Sequence, residues 1–240
     1  KKKTMKKTLT LAAVFGLTVL TAVGQKTIGV KLNGGLSYLY TYFESNPPQN
    51  ETQKFYVMPS GQAGLFYNSL IKDKFLFGTE VLIFQIEGKD YLKLPLVDQN
   101  GPTGEYSEDW TYRHISYLGV PVYFGYSFKK LNVNLGLQAN FVLLSSGREI
   151  GHATYQGQYY EWDNKGKKLG INFLEYGTRG GLLYKLSDKL SIETNYYYGL
   201  TNLLKDSSIK KYWTWRVQQW TVGLRYNIFP RGQTTTPTEK

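Results

Sequence analysis

Histidine, aspartate and serine residues come close together at one place in the chain, and these side chains are the ones that catalyse acyl transfer or hydrolysis. His114 stands near Asp109 and Ser116, and the second histidine, His152, lies further along. No spacing signature in the sequence indicates that the three groups form a triad. The chain has no Cys, which excludes thiolate chemistry, and it shows no phosphate-binding loop or metal-ligand cluster. We therefore predict no catalytic residue, cofactor or metal, with an enzyme as a minor alternative.

Six charged residues form a second group, because they fall on the polar side of segments that alternate between apolar and polar residues. They are Lys31, Glu80, Glu175, Arg179, Glu193 and Arg225. An unpaired buried charge is costly, so charges that face the inside of a closed sheet must pair. Two interpretations follow, a narrow ion pathway or a charge-paired plug that holds the strands in register. The equal number of acids and bases favours the plug.

The alternating segments are the elements that would position these charges. Four of them are regular, and they cover residues 27–42, 131–143, 190–201 and 220–228. Four others are less regular, at 55–68, 75–87, 114–128 and 170–184. A strand that crosses a membrane needs ~9–11 residues of such alternation, which is longer than most strands of soluble sheets. The sequence therefore predicts an all-β protein, an eight-stranded antiparallel up-and-down transmembrane β-barrel.

The connections between these segments alternate between short and long. The short ones are 69–74, 129–130 and 185–189, and the long ones are 44–54, 88–113, 146–169 and 202–213. Outer-membrane barrels have short periplasmic turns and longer external loops, so this rhythm predicts that both termini lie in the periplasm. A soluble β-sandwich or lipocalin-like barrel would also alternate, but its apolar faces would point inward.

Aromatic residues in the two longest connections are candidate contact residues, because loops on a rigid scaffold commonly carry function. They are Tyr91, Tyr106, Trp110, Tyr155, Tyr159, Tyr160 and Trp162. The alternative is that these side chains only extend the interfacial aromatic girdle or pack the loops on each other.

The N-terminus indicates export. Met5-Lys6-Lys7 precedes an apolar stretch, Leu9–Val23, and Ala22-Val23-Gly24 supplies the small residues of a signal-peptidase site. We predict a signal peptide at 1–24, a barrel at 25–229 and a flexible C-terminal tail at 230–240. Removing the five lysines of the signal peptide lowers the net charge from +11 to +6. So mild an excess does not indicate nucleic-acid binding, and lipopolysaccharide phosphates explain the basic stretch Lys210–Trp213 better.

Several segments resemble known outer-membrane patterns. Residues Thr221–Phe229 resemble the C-terminal signal that the barrel-assembly machinery recognises. Residues Tyr117–Tyr126, the Glu80 strand ending at Gly88, and Tyr196–Leu203 resemble the PorT-like outer-membrane β-barrel family, which is common in Bacteroidetes. The resemblance implies an eight-stranded barrel without catalytic residues, and some members of that family serve in secretion or surface assemblies.

These observations predict a non-enzymatic protein of the bacterial outer membrane. Its role would be structural or binding at the surface, or that of a subunit in a larger envelope or secretion complex. The expected partners are outer-membrane lipid and lipopolysaccharide, the barrel-assembly machinery during biogenesis, and protein partners in an envelope complex. The alternatives are a small transport pore and, less favoured, an acyl-transfer or hydrolytic enzyme at the outer rim.

Overall fold

The computed structural model describes residues 25–43, 52–98, 101–206 and 213–229. The predicted signal peptide at 1–24 and the predicted tail at 230–240 lie outside the described residues, as do parts of the long connections 44–54 and 202–213. Within the described ranges, no helix is long and apolar enough to span a membrane.

The described residues form ten strands. They are β1 (Gln25–Phe43), β2 (Thr52–Tyr56), β3 (Met58–Ile71), β4 (Phe75–Asp98), β5 (Gly101–Phe128), β6 (Leu131–Tyr155), β7 (Gln158–Lys167), β8 (Leu174–Lys185), β9 (Leu190–Gly199) and β10 (Trp213–Phe229).

Eight of the strands close into a ring of antiparallel neighbours, in the order β1-β3-β4-β5-β6-β8-β9-β10. The first strand pairs with the last, with Lys31 opposite Arg225 and Leu36 opposite Trp220. The structure therefore confirms the predicted fold class, an eight-stranded antiparallel up-and-down barrel. The turns after β3, β5 and β8 are short and lie at the same end of the ring as Gln25 and Phe229.

The pleat of the strands separates a polar interior from an apolar wall. In β1 the buried residues Thr27, Lys31 and Asn33 alternate with exposed apolar ones. On the outside of the ring, Leu32, Leu135 and Leu137 expose 65–69% of their surface. Apolar side chains that point away from the interior, strand after strand, are typical of a barrel wall in contact with lipid.

The prediction that the two longest connections, 88–113 and 146–169, are loops is wrong, because most of their residues form strands in the structure. Residues 88–98 belong to β4, residues 101–113 to β5 and residues 146–155 to β6. Beyond the ring, β2 and the far ends of β4, β5 and β6 form a five-stranded sheet with β7, in the order β2-β4-β5-β6-β7. We call this part, residues 52–56, 87–98, 101–114, 147–155 and 158–167, the outer sheet. Its position opposite the short turns puts it on the external side.

Candidate functional site

The centre of the barrel holds a cluster of five of the six predicted charged residues. Glu80 contacts the ammonium of Lys31 at 3.0 Å and the guanidinium of Arg179 at 2.7 Å, and it also pairs with Arg225. Glu193 pairs with both Lys31 and Arg225. All five side chains are almost completely buried. Three cations therefore share two carboxylates, and these contacts connect five strands of the ring: β1, β4, β8, β9 and β10.

Neutral polar groups complete this charge cluster. Asn33 donates to Glu193 at 2.6 Å, and Arg179 donates to Asn195 at 2.8 Å. Tyr123 accepts a hydrogen bond from Arg225 at 3.1 Å and donates one to Asn68 at 2.7 Å. The guanidinium of Arg225 also lies over the ring of Phe66, 4.7 Å from its centroid. These partners were not predicted from the sequence, although Asn33 and Asn195 lie on the polar faces of alternating strands, which is the signal that could have identified them.

The sixth predicted residue, Glu175, lies apart from the charge cluster. Its carboxylate accepts hydrogen bonds from Asn140 and from the hydroxyl of Tyr197, both at 2.7 Å. Gln138 in turn donates to Asn140 at 2.8 Å. Among the described residues, Glu175 has no ion pair within the salt-bridge distance. It is held by hydrogen bonds alone.

Next to Glu175, toward the external side, the interior becomes apolar. We call this group of buried residues the apolar layer, and it consists of Leu39, Leu82, Phe84, Ile86, Ile115, Tyr117, Tyr197, Leu203 and Val217. The rings of Phe84 and Tyr117 stack with centroids 5.1 Å apart. The chain between β7 and β8 adds Leu169 and Ile171 to this packing, and Ile171 bridges to Leu204. Because the buried side chains of the layer expose almost none of their surface, the described residues leave no open aqueous path at this level.

The outer mouth carries one more buried pair. Arg113 pairs with Asp90, and its guanidinium stacks over the ring of Trp215 at 4.2 Å from the centroid. Sequence reasoning missed this pair because both charged residues lie in or next to a predicted loop. A cavity of about 590 Å³ lies beside Arg113 and Trp215 at this mouth, and on the periplasmic side a cavity of about 500 Å³ reaches in as far as Phe66, Asn68 and Arg225. The interior is thus closed by the charge cluster and the apolar layer in series.

Ion pairs across neighbouring strands hold the outer sheet. Arg148 makes a two-pronged contact with Asp163, at 2.9 and 2.8 Å, and this lowers the pKa of the Asp163 carboxyl to about 2. Lys93 donates to Glu108 at 2.8 Å, which lowers the pKa of Glu108. Such exposed pairs contribute little stability individually, but they fix the strand register.

The tips of the two hairpins in the outer sheet are tied to each other. The turn between β6 and β7 has positive φ at both Gln156 (52°) and Gly157 (74°), as a tight two-residue hairpin requires. The backbone N–H groups of these residues donate to the carboxylate of Glu105 in β5, at 3.0 and 3.3 Å. The outer sheet is therefore one continuous hydrogen-bonded surface and not a set of independent loops.

The seven aromatic contact candidates fall into two groups on this sheet. Tyr91, Trp110 and Trp162 are half-buried, and Tyr91 and Trp110 pack on each other with ring centroids 4.6 Å apart. Lys89 lies over the Trp110 ring at 4.5 Å. For these three residues the structure favours the alternative in which the aromatic side chains pack on each other. The other four are exposed: Tyr106, Tyr155, Tyr159 and Tyr160.

The histidines do not assemble the suspected triad. His114 contacts Gln85 at 3.0 Å, while Asp109 is five positions away in β5 and therefore on the opposite face of the strand. His152 stacks on Tyr159, with centroids 5.9 Å apart. In the described part of the chain, no group of three His, Asp or Glu residues could hold a metal ion.

A closed ring of eight antiparallel strands with a polar, charge-paired interior and an apolar wall defines an integral outer-membrane β-barrel. The chain belongs to the family described as "Outer membrane protein beta-barrel domain", whose family model matches residues 20–205. The protein is therefore located in the bacterial outer membrane. No curated protein sequence matches the chain.

Solved structures with a similar fold include three outer-membrane proteins. Ail, the attachment invasion locus protein of Yersinia pestis, is 11% identical with a TM-score of 0.35, covering 85% of this chain and 99% of Ail. Neisserial surface protein A is 10% identical with a TM-score of 0.34, covering 82% and 96%. OprG from Pseudomonas aeruginosa is 10% identical with a TM-score of 0.33, covering 85% and 97%. Similarity at this level carries no information about function.

Proposed function

We propose that the protein is a non-enzymatic outer-membrane barrel that binds a macromolecular partner at the cell surface through its outer sheet. It would act either alone or as the surface subunit of a larger envelope or secretion complex. The observation that carries the proposal is the continuous outer sheet, with its exposed tyrosines, above a filled interior. Tyrosine supplies a large contact area with few rotatable bonds, so it contributes to binding at low entropic cost.

The filled interior argues against the alternative of a small transport pore. A pore needs a continuous aqueous path, whereas the charge cluster and the apolar layer stand in series across the barrel. The opposite faces of Asp109 and His114 argue against a rim enzyme built on those residues.

The sequence patterns support two further parts of the proposal. The segments around Tyr117–Tyr126 and Tyr196–Leu203 support membership of the PorT-like branch found in Bacteroidetes. The N-terminal pattern supports export with cleavage before Gln25, followed by insertion through the barrel-assembly machinery with Thr221–Phe229 as the recognition signal.

Photo-crosslinking in intact cells tests the binding role. A photoreactive phenylalanine at Tyr159, which exposes 64% of its surface, is expected to give a discrete protein adduct. The same probe at Tyr160 reports the opposite face of the sheet, because adjacent strand residues point to opposite sides. The strand register puts Tyr155 on the same face as Tyr160, and Tyr106 on the same face as Tyr159. Replacing both tyrosines of the crosslinking face by Ser is expected to weaken co-purification of the partner about tenfold or more, since interface aromatics contribute about 2 kcal/mol or more.

Two control positions locate the contact. Leu135 exposes 69% of its surface on the wall, and Ser187 is exposed in the turn after β8. We expect no discrete protein adduct from either position, with folding of every variant verified by heat-modifiable migration on a gel. Discrete adducts from Leu135 or Ser187, with none from the outer sheet, would contradict the proposal.

A further inference from the structure

The barrel wall has a gap between β6 and the chain that precedes β8. The β6–β8 ladder ends where Phe141 pairs with Leu174, and the β6–β7 ladder starts where Gly147 pairs with Lys167. Between the two ladders, the N–H of Val142 donates to the carbonyl of Phe173 at 2.9 Å. Within the described residues 101–206, residues 143–146 of β6 take part in neither ladder on this edge.

The gap exists because residues 168–173 turn inward and do not continue the wall. Asn172 donates its N–H to Leu203 at 2.7 Å, and Lys205 donates its N–H to Gly170 at 2.9 Å. Leu169 and Ile171 pack on the apolar layer from this position. Where the wall would otherwise run, a crevice of about 780 Å³ remains, and that volume is in the range of small-molecule and lipid-chain sites.

The lining of this crevice is mainly apolar and includes two lysines. The apolar side chains are those of Val142, Leu143, Leu144, Leu169, Ile171 and Phe173, and the basic ones are those of Lys168 and Lys205. Leu144 and Phe173 expose 69% and 67% of their surface, and both lysines are exposed. The crevice therefore pairs an apolar slot with two positive charges.

The crevice lies at the outer membrane–water interface. β6 starts at Leu131, next to a short periplasmic turn, and a membrane strand spans the hydrocarbon with ~9–11 residues. Residues 142–146 therefore lie where the hydrocarbon meets the head groups of the external leaflet. Backbone groups without partners are tolerated there only if water or a polar head group satisfies them.

We propose that this crevice binds a phosphorylated, acylated glycolipid of the outer leaflet, the lipid A part of lipopolysaccharide. One acyl chain would occupy the apolar slot, while Lys168 and Lys205 would contact a phosphate and the sugar hydroxyls would face the open backbone edge of 143–146. Outer-leaflet lipid surrounds the external half of the wall, and it combines the apolar and anionic groups that the lining complements. The lipid would seal the gap in the barrel wall.

Native mass spectrometry of the purified full-length protein in detergent micelles tests this site. With bisphosphorylated hexa-acyl lipid A as the probe, the wild type is expected to retain one lipid per barrel. The double variant Lys168→Ala/Lys205→Ala is expected to bind it about tenfold or more weakly, because each basic side chain near a lipid phosphate contributes a few-fold in affinity. Lys74→Ala/Lys130→Ala removes the same charge from the periplasmic turns and is expected to leave binding unchanged.

A second variant tests the apolar slot independently of charge. A Cβ added at Gly170 meets no atom within 4 Å, so the side chain of Gly170→Leu starts in open space at the crevice. This variant, with folding verified by heat-modifiable migration on a gel, is expected to displace the lipid. Removing the phosphates from the lipid is expected to have the same effect as removing the two lysines. The wild type should therefore bind dephosphorylated lipid A about as weakly as the double lysine variant binds lipid A. Unchanged retention in both the lysine and the Gly170 variants would overturn the site, and equal retention of phosphatidylglycerol would overturn its assignment to the glycolipid.

Discussion

Replacing Glu80 by Gln is expected to destabilise the barrel much more than the same replacement at Glu175. Glu80 is the carboxylate shared by Lys31, Arg179 and Arg225. With Glu80 neutralised, Lys31 and Arg225 keep Glu193, while Arg179 loses the carboxylate that it contacts in the structure. Removing one partner from a buried ion pair costs about 3–5 kcal/mol, because the remaining charge stays buried without compensation. This variant is therefore expected to lose that much of its free energy of unfolding, or to fail to insert.

Glu175→Gln is the matched control, since it makes the same chemical change at an equally buried position. Glu175 accepts hydrogen bonds from Asn140 and Tyr197 and neutralises no cation, so its amide analogue is expected to cost about 1 kcal/mol. Urea unfolding in phospholipid vesicles, followed by tryptophan fluorescence, measures both variants. Equal losses of stability at the two positions would show that the charge cluster does not hold the strands together.

Replacing Leu203 by Ala is expected to release the chain segments that close the outer mouth. Leu203 is fully buried in the apolar layer, and its backbone bonds to Trp215 at 3.0 Å and to Asn172 at 2.7 Å. Truncating a buried leucine costs about 2–5 kcal/mol, which raises the population of the opened segment roughly 30-fold or more. Hydrogen exchange at the amides of Asn172 and Lys205 is expected to accelerate by that factor.

Leu183→Ala provides the comparison at the periplasmic end, where Leu183 is buried beside the 500 Å³ cavity. It is expected to lower the stability of the whole barrel without accelerating exchange at Asn172 and Lys205 selectively. If Leu203→Ala leaves exchange at those two amides unchanged, the apolar layer does not hold the mouth segments in place.

The barrel and the inward-facing side of each strand could be predicted from the sequence, because a period of two assigns every side chain to a face. That rule does not give the height of a residue inside the barrel, which depends on the stagger between strands. Glu175 and Glu80 therefore looked equivalent, although Glu80 is in the charge cluster and Glu175 is at the edge of the apolar layer.

The outer sheet could not be predicted, because its strands are held by pairing and not by apolar burial. Contacts such as Lys93–Glu108 and Arg148–Asp163 become visible only when the strand register is known. The apolar layer did leave a signal in the sequence, since residues 81–84 are apolar on both faces of β4. That pattern made the strand look irregular, whereas in the structure Leu82 and Phe84 fill the interior.

The central claim is that the barrel interior is closed, so that function belongs to the external surface. Planar-bilayer recording of the purified protein tests this claim most directly. The charge cluster and the apolar layer block the interior in series, so we predict no stable conductance steps from the wild type, and none from Leu203→Ala, in which the charge cluster remains. A reproducible open channel of porin size from the wild-type protein would contradict the account.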